Sequence, residues 1–200
     1  FAKNIKTVLE KNKLDGIDLD FEWAENEKEY KDYSLAILKM REVLGNKYLF
    51  SVSLHPVCYK ISKEAIEAVD FISLQCYGPS PVRFPIEKYC SDIQMVLEYG
   101  IPKEKLVAGV PFYGVTKDNS KKTEAYFNFV QNGLITSPAQ NEVVYQGDTY
   151  VFDGQDNIRI KTRYAKEQKL KGMMSWDLAT DLPLSDSRSL LKTMTEELRE

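Results

Sequence analysis

Residues 15–23 read Asp15-Gly16-Ile17-Asp18-Leu19-Asp20-Phe21-Glu22-Trp23, with four acids inside eight residues. In an extended strand successive side chains point to opposite faces. The spacing therefore predicts a strand with Asp18, Asp20 and Glu22 on one face and Ile17, Leu19, Phe21 and Trp23 on the other. Residues two apart stand roughly 6.5–7 Å apart along a strand. Three carboxylates in such a row repel unless they share protons or hydrogen bonds, and the crowding raises the pKa of at least one of them. A carboxylic acid that keeps its proton near neutral pH is what general acid catalysis needs.

Two other readings of the stretch are an edge strand with a solvated acidic face and an Asp-x-Asp site for a divalent cation. Acids are depleted in strands, and repulsion along a purely solvated row would bring no return. The cation reading lacks the glycine-containing twelve-residue calcium loop, and nothing nearby resembles a phosphate cradle. The wider composition narrows the field. Two hundred residues, 43% apolar and 28% charged, suffice for one globular domain with a substantial core. A net charge of −3 argues against nucleic acid as the main partner. No run approaches the roughly 18 apolar residues of a membrane-spanning helix. Cys58, Cys76 and Cys90 are odd in number and have no metal-ligand spacing, so they read as free, partly buried thiols. His55 is the sole histidine and no nucleophile-elbow motif is present, so it reads as a polar strand-end residue. The start, Phe1-Ala2-Lys3-Asn4, has neither an initiator Met nor a signal-peptide pattern, which reads as a piece of a longer protein or a processed product.

Along the chain, helix and strand alternate. Ala2, Ile5, Val8 and Leu9 give residues 2–12 one apolar helical face. A second helix opens at Glu25–Glu29, with Tyr33, Ala36, Ile37, Met40, Val43 and Leu44 as its core stripe and Gly45 as its stop. Tyr48–Leu54 is a strand broken by His55-Pro56. Ser62 caps a short helix through Ala68. Val69–Tyr77 is a strand stopped by Gly78-Pro79, with Pro79, Pro81 and Pro85 in the loop that follows. A helix over Ile86–Tyr99 leads to a strand at Leu106–Val110. Residues 116–122 read as polar loop and Tyr126–Val130 as a short helix. Val143–Tyr145 and Tyr150–Phe152 flank Gly147-Asp148 as a hairpin. A helix over 157–169, a strand at Gly172–Trp176 and a helix from about Ser185 to Leu198 complete the pattern. Strands that alternate with helices and read as near-continuous apolar runs indicate a parallel sheet of the α/β class. Glu22, Gln75, Tyr77, Tyr113 and Trp176 all fall at strand C-terminal ends, where a (β/α)₈ barrel carries its active site.

The Asp-x-x-Asp-x-Asp-x-Glu pattern of Asp15, Asp18, Asp20 and Glu22 resembles the signature of glycoside hydrolase family 18, which contains the chitinases and certain endo-β-N-acetylglucosaminidases. The resemblance covers nearly the whole chain. The acidic strand is similar to the family's fourth strand and Val69–Tyr77 to its sixth. Leu106–Gly114 (LVAGVPFYG) is similar to the seventh and Gly172–Leu178 (GMMSWDL) to the eighth. Asp153, Ile158, Lys161, Tyr164 and Ala165 follow the spacing that chitinases show before that last strand. The first three strands have no counterpart, so the resemblance implies an incomplete TIM barrel: about five of eight βα units in a single partial catalytic domain over 1–200. Either an N-terminal part is missing, the reading preferred here, or another chain completes the sheet. Open sheet edges also invite self-association.

The resemblance assigns roles residue by residue. It implies that Glu22 is the general acid and that Asp20 orients the substrate's own 2-acetamido group, whose carbonyl oxygen attacks the anomeric carbon. Asp18 supports Asp20 through a shared proton, and Tyr77 holds the acetamido group. Such substrate assistance is the family's exception to the two-carboxylate scheme, and it lets all the acids lie on one strand. Trp176 becomes the floor under the bound sugar, since sugars stack their C–H faces on aromatic rings, and Gln75 and Tyr113 complete the substrate-binding set. Asp15, on the other parity, ends the preceding turn. The chain departs from the family pattern at Phe21, Trp23 and Ala24, where Trp, Tyr and Pro are usual; these positions are expected to face outward or lie past the acid. Gly78 replaces an acid of the other family branch. Residues 115–142 are too few for the larger α+β insertion of some chitinases, which predicts a shallower cleft and endo-type access. The implied function is substrate-assisted retaining hydrolysis of β-1,4-linked N-acetylglucosamine polymers. The alternatives are an endo-β-N-acetylglucosaminidase acting on N-glycans and a non-catalytic, lectin-like binder of chitin oligosaccharides. The expected partner is an N-acetylglucosamine-containing glycan. No metal or organic cofactor, nucleic acid or membrane partner is implied, and polymeric substrates imply an extracellular or cell-surface location.

Overall fold

Capping chemistry sets the helix boundaries. The side chain of Asn26 accepts the Glu29 N–H at 3.1 Å, while the Glu29 carboxylate accepts the Glu25 N–H at 2.7 Å. Ser62 Oγ accepts the Ala65 N–H at 3.2 Å. These side chains satisfy donors that a helix start leaves unpaired. At the other end of the second helix Gly45 takes a positive φ of 63°, a conformation that costs glycine little.

The computed structural model describes residues 1–77, 85–118 and 122–199. In chain order α1 (Ala2–Asn12) leads to β1 (Gly16–Asp20), α2 (Glu27–Leu44) to β2 (Leu49–Leu54), α3 (Lys63–Ala68) to β3 (Phe71–Leu74) and α4 (Ile86–Tyr99) to β4 (Leu106–Pro111). The alternation is then interrupted by β5 (Tyr113–Thr116), β6 (Thr123–Ala125), α5 (Tyr126–Gln131), β7 (Glu142–Tyr145) and β8 (Asp148–Val151). It resumes with α6 (Gln155–Glu167), β9 (Gly172–Trp176), a 3₁₀ turn at Leu178–Thr180 and α7 (Leu190–Arg199). The main sheet runs β1-β2-β3-β4-β9, every pair parallel, with β1 and β9 at its edges.

Period-2 alternation sorts the strand residues into two layers. Phe50, Val52, Leu54, Ile72, Leu74 and Cys76 are buried in one core with Tyr33, Ile37, Met40 and Leu44 of α2. The intervening Ser51, Ser53, Ser73, Gln75 and Tyr77 line the opposite, open face. The base of the sheet is tied by charge. Arg41 donates to the Ala68 carbonyl at 2.6 Å and to Asp70 at 2.7 Å, and Asp70 also accepts the Phe50 N–H. Lys105 Nζ donates to the carbonyls of Ile66, Glu67 and Val69 at the end of α3. Near α6, Lys161 and Asp153 form an ion pair at 2.5 Å with both side chains fully buried, and Asn157 donates to the same carboxylate.

Several boundaries differ from the sequence expectation. β1 ends at Asp20, so Phe21, Glu22 and Trp23 lie beyond it. β3 ends at Leu74, short of the predicted Tyr77. Val8 and Ala36 are exposed instead of in their helices' core stripes. α7 starts at Leu190, because Asp181 accepts the N–H groups of Leu190 and Leu191 and so sets the cap there. The predicted hairpin is half of a four-stranded antiparallel sheet, β6-β5-β8-β7. Its other two strands are short and depend on non-local pairing, Tyr113 with Ala125 and Val115 with Val151. The predicted strand stop at Gly78-Pro79, Pro81, and the centre of the predicted polar loop lie outside the described residues.

Candidate active site

Asp18 and Asp20 leave β1 on the open face, and Glu22 follows them into a cleft of about 850 Å³ at the C-terminal rim of the main sheet. The parallel register sets Asp18 beside Ser51 and Asp20 beside Ser53 on β2. Ser51 Oγ donates to one oxygen of Asp18 at 2.5 Å and Ser53 Oγ to the other at 2.7 Å. In this arrangement Asp18 is held by two serines. Gln75 extends the line of β3, its N–H bonded to the Leu54 carbonyl. Its side-chain Nε2 donates to Asp20 Oδ1 and Glu22 Oε1, each at 3.1 Å, so one amide bridges the two acids.

The crowded row raises the proton affinity of Asp20. Its carboxyl opens onto the cleft yet loses part of its hydration there; this desolvation lifts its pKa most, followed by the charges of Glu22 and Asp18, while the Gln75 amide works the other way. Tyr77, 7% exposed, is pushed well above the ordinary phenol range, chiefly by burial and then by Tyr113 and Asp20. It is thus a neutral hydroxyl, able to donate, and its O–H reaches Met174 Sδ at 3.7 Å. Tyr113 stands edge-on to Tyr77 with ring centroids 6.4 Å apart. Gly109 of β4 makes this packing possible. A Cβ there would fall 2.6 Å from the Leu74 carbonyl oxygen, 2.8 Å from Met174 and 3.0 Å from Tyr77. Trp176, at the end of β9, is 57% exposed on the far side of the cleft.

All seven residues singled out in the sequence, Asp18, Asp20, Glu22, Gln75, Tyr77, Tyr113 and Trp176, line this one cleft. A model of the glycosyl hydrolases family 18 matches residues 1–181. The chain belongs to that family. The probable chitinase 2 of Drosophila melanogaster is 23% identical over 245 residues, covering 90% of this chain and 50% of that protein. The family 18 chitinase ChiB of Flavobacterium johnsoniae superimposes with a TM-score of 0.81 at 26% identity, over 98% of this chain and 64% of that one. The chitinase-like agglutinin of Robinia pseudoacacia shares the fold, with a TM-score of 0.81 at 18% identity over 98% of this chain and 71% of that one. The chain spans about half the length of the curated relative it matches. Its fold is that of the family's TIM barrel, represented by five parallel strands among the described residues.

The sequence reading missed part of this family 18 cleft. Trp23, expected to face outward, lines it and packs against His55. The reason is that β1 has already ended, so strict alternation no longer governs its side chain. Ser51, Ser53 and Ser73 also line the cleft. Their signal was present in Phe50-Ser51-Val52-Ser53-Leu54, where small polar residues share one parity as the acids do in β1. Asp15, by contrast, stays out of the cleft and gives its carbonyl to the Leu49 N–H at 2.9 Å.

Proposed function

We propose that this chain carries the catalytic residues of a retaining glycosidase that cleaves β-1,4-linked N-acetylglucosamine oligomers with the help of the substrate's acetamido group. The observation that supports this reading best is the Asp18-Asp20-Glu22 row, bridged by Gln75 and facing Tyr77 and Trp176 across one cleft. Glu22 gives its proton to the glycosidic oxygen as the bond to the anomeric carbon breaks. The acetamido carbonyl oxygen forms the new bond to that carbon, so no enzyme nucleophile is needed. Asp20 accepts from the acetamido N–H and steers the attack, and the Tyr77 hydroxyl donates to the developing ring. Trp176 supports the apolar face of the sugar. Water then opens the intermediate with Glu22 as general base, and the anomeric configuration is retained. A polymeric substrate of this kind fits an extracellular or cell-surface setting, and among the described residues no helix is long and apolar enough to cross a membrane.

The test is turnover of a chromogenic N,N′-diacetylchitobioside by the protein and by its Glu22→Gln variant. Loss of a positioned general acid should lower the rate by about 10²–10⁴-fold. Equal rates would refute the assignment. Tight oligosaccharide binding without turnover in the unaltered protein would make it a sugar-binding member, and a preference for high-mannose glycoprotein over chitin oligomers would make it an N-glycan endoglycosidase.

A further inference from the structure

Trp23 follows Glu22 directly and lines the same cleft. Its indole meets the imidazole of His55 with ring centroids 4.1 Å apart and planes at 69°. His55 is itself fixed: it is 2% exposed, and its Nδ1 accepts the Val57 N–H at 3.2 Å. Two backbone hydrogen bonds close the turn between His55 and Cys58, and Cys58 Sγ accepts the Ala24 N–H at 3.1 Å. The residue on one side of Trp23 is therefore bolted to the end of β2, and the indole has a rigid partner at its back. An aromatic wall ordered in advance costs little further entropy when a ligand lands on it. The indole thus meets His55 in a T-shaped contact and also lines the cleft, where a ligand can reach it.

The chain has two tryptophans, and both line this cleft. They come from opposite edges of the main sheet, Trp176 ending β9 and Trp23 following β1. Tyr77, Tyr113 and Met174 gather toward the β9 side, whereas Glu22 and Trp23 share the β1 side. An acid that protonates a glycosidic oxygen has one sugar on each side of it. With the N-acetylated sugar over Trp176 and Tyr77, the departing sugar falls beside Trp23. Building on the hydrolase reading above, we propose that Trp23 is the stacking platform for the leaving-group sugar, which makes this a site for oligosaccharides that continue past the scissile bond.

The experiment compares kcat/KM for the unaltered protein, Trp23→Phe and Trp23→Ala on two substrates. One is a chito-oligosaccharide hexamer, with sugar on both sides of the cleaved bond. The other is an aryl N,N′-diacetylchitobioside, whose leaving group is a phenol. Trp23→Ala should lose about 10–100-fold on the hexamer, at least ten times more than on the aryl substrate, and Trp23→Phe should retain most of the hexamer rate. Equal losses on both substrates would mean that Trp23 merely packs the Glu22 segment and would overturn the proposal, as would an undiminished hexamer rate. Calorimetric binding of the hexamer in a Glu22→Gln background reads the platform without turnover, and Trp23→Ala should weaken that binding by a similar factor. Failure of the hydrolase reading, seen as full activity of Glu22→Gln, is thereby distinguishable from failure of the platform. Should Trp23→Ala not fold, Trp23→Leu keeps apolar packing on His55 without a ring and takes its place.

Discussion

Gln75 bridges the carboxyls of Asp20 and Glu22 with one nitrogen, and Gln75→Met tests that arrangement. Methionine nearly matches glutamine in length and shape but donates nothing. The substitution removes one hydrogen bond to each of the carboxyl groups of Asp20 and Glu22, both 3.1 Å long. A hydrogen bond to a charged group contributes about 1.5–3 kcal/mol. If only one such bond's worth is expressed in the transition state, kcat should fall roughly 10–100-fold, since each 1.36 kcal/mol is a factor of ten. A second signature comes from charge. Gln75 is the one group that pulls the Asp20 pKa down against desolvation and the charges of Glu22 and Asp18. Without it the Asp20 proton is held to higher pH, and the acidic limb of the kcat/KM profile should move upward. Full pH profiles on a chromogenic chitobioside, recorded beside circular dichroism to verify folding, read both effects. A variant within threefold of the unaltered protein at every pH, with its limb in place, would refute the bridging role.

Lys161→Ala leaves the Asp153 carboxylate fully buried with the Asn157 amide as its remaining side-chain donor. Breaking a buried pair on one side costs about 3–5 kcal/mol, which for a domain of this size lowers the melting temperature by roughly 6–20 °C. Thermal melts check this, and the double change Lys161→Met with Asp153→Leu should recover most of the loss. Asp20→Asn should act in the opposite direction. The folded-state pKa of Asp20 lies above its ordinary value of 3.8, so the folded protein binds this proton more tightly than the unfolded chain does. The associated stability is present at low pH and is lost as pH rises through the raised value. The variant should therefore melt higher than the unaltered protein at neutral pH while losing turnover, and the gap should close on acidification. Melts across the acid-to-neutral range measure both curves.

The parts of this molecule that were legible in the sequence are those written in local pattern. The alternation of Asp18 and Asp20 put two carboxylates on the cleft face with Glu22 following just past β1, and Gln75 and Tyr77 lie two apart just past the end of the next strand but one. Caps were equally local: Ser62 begins α3 and Gly45 ends α2 where side-chain and backbone chemistry demand. What escaped depends on partners far along the chain. β6 is two polar residues and an alanine, Thr123-Glu124-Ala125, which become a strand because Tyr113–Val115 lie alongside. Trp23 faces the cleft because it has left the strand and met His55, 32 positions later. The two serines on Asp18 lie on another strand, and only the pairing register brings them to it.

The ladder between β4 and β9 aligns Pro111 with Trp176 and leaves residues 112–171 as an excursion between two adjacent strands. The sheet within that excursion gathers Tyr145, Tyr150 and Phe152 around the ring of Phe129. Both ends of the excursion are therefore anchored by a hydrogen-bonded ladder that does not depend on its length. Pro111 closes β4 opposite Trp176 in that ladder, so the rim position of Trp176 belongs to the barrel sheet, whereas Tyr113 belongs to the excursion itself. Descendants of such a protein are free to lengthen, trim or exchange this excursion, reshaping what the cleft admits, while the rim that carries Trp176 passes unchanged from one generation to the next.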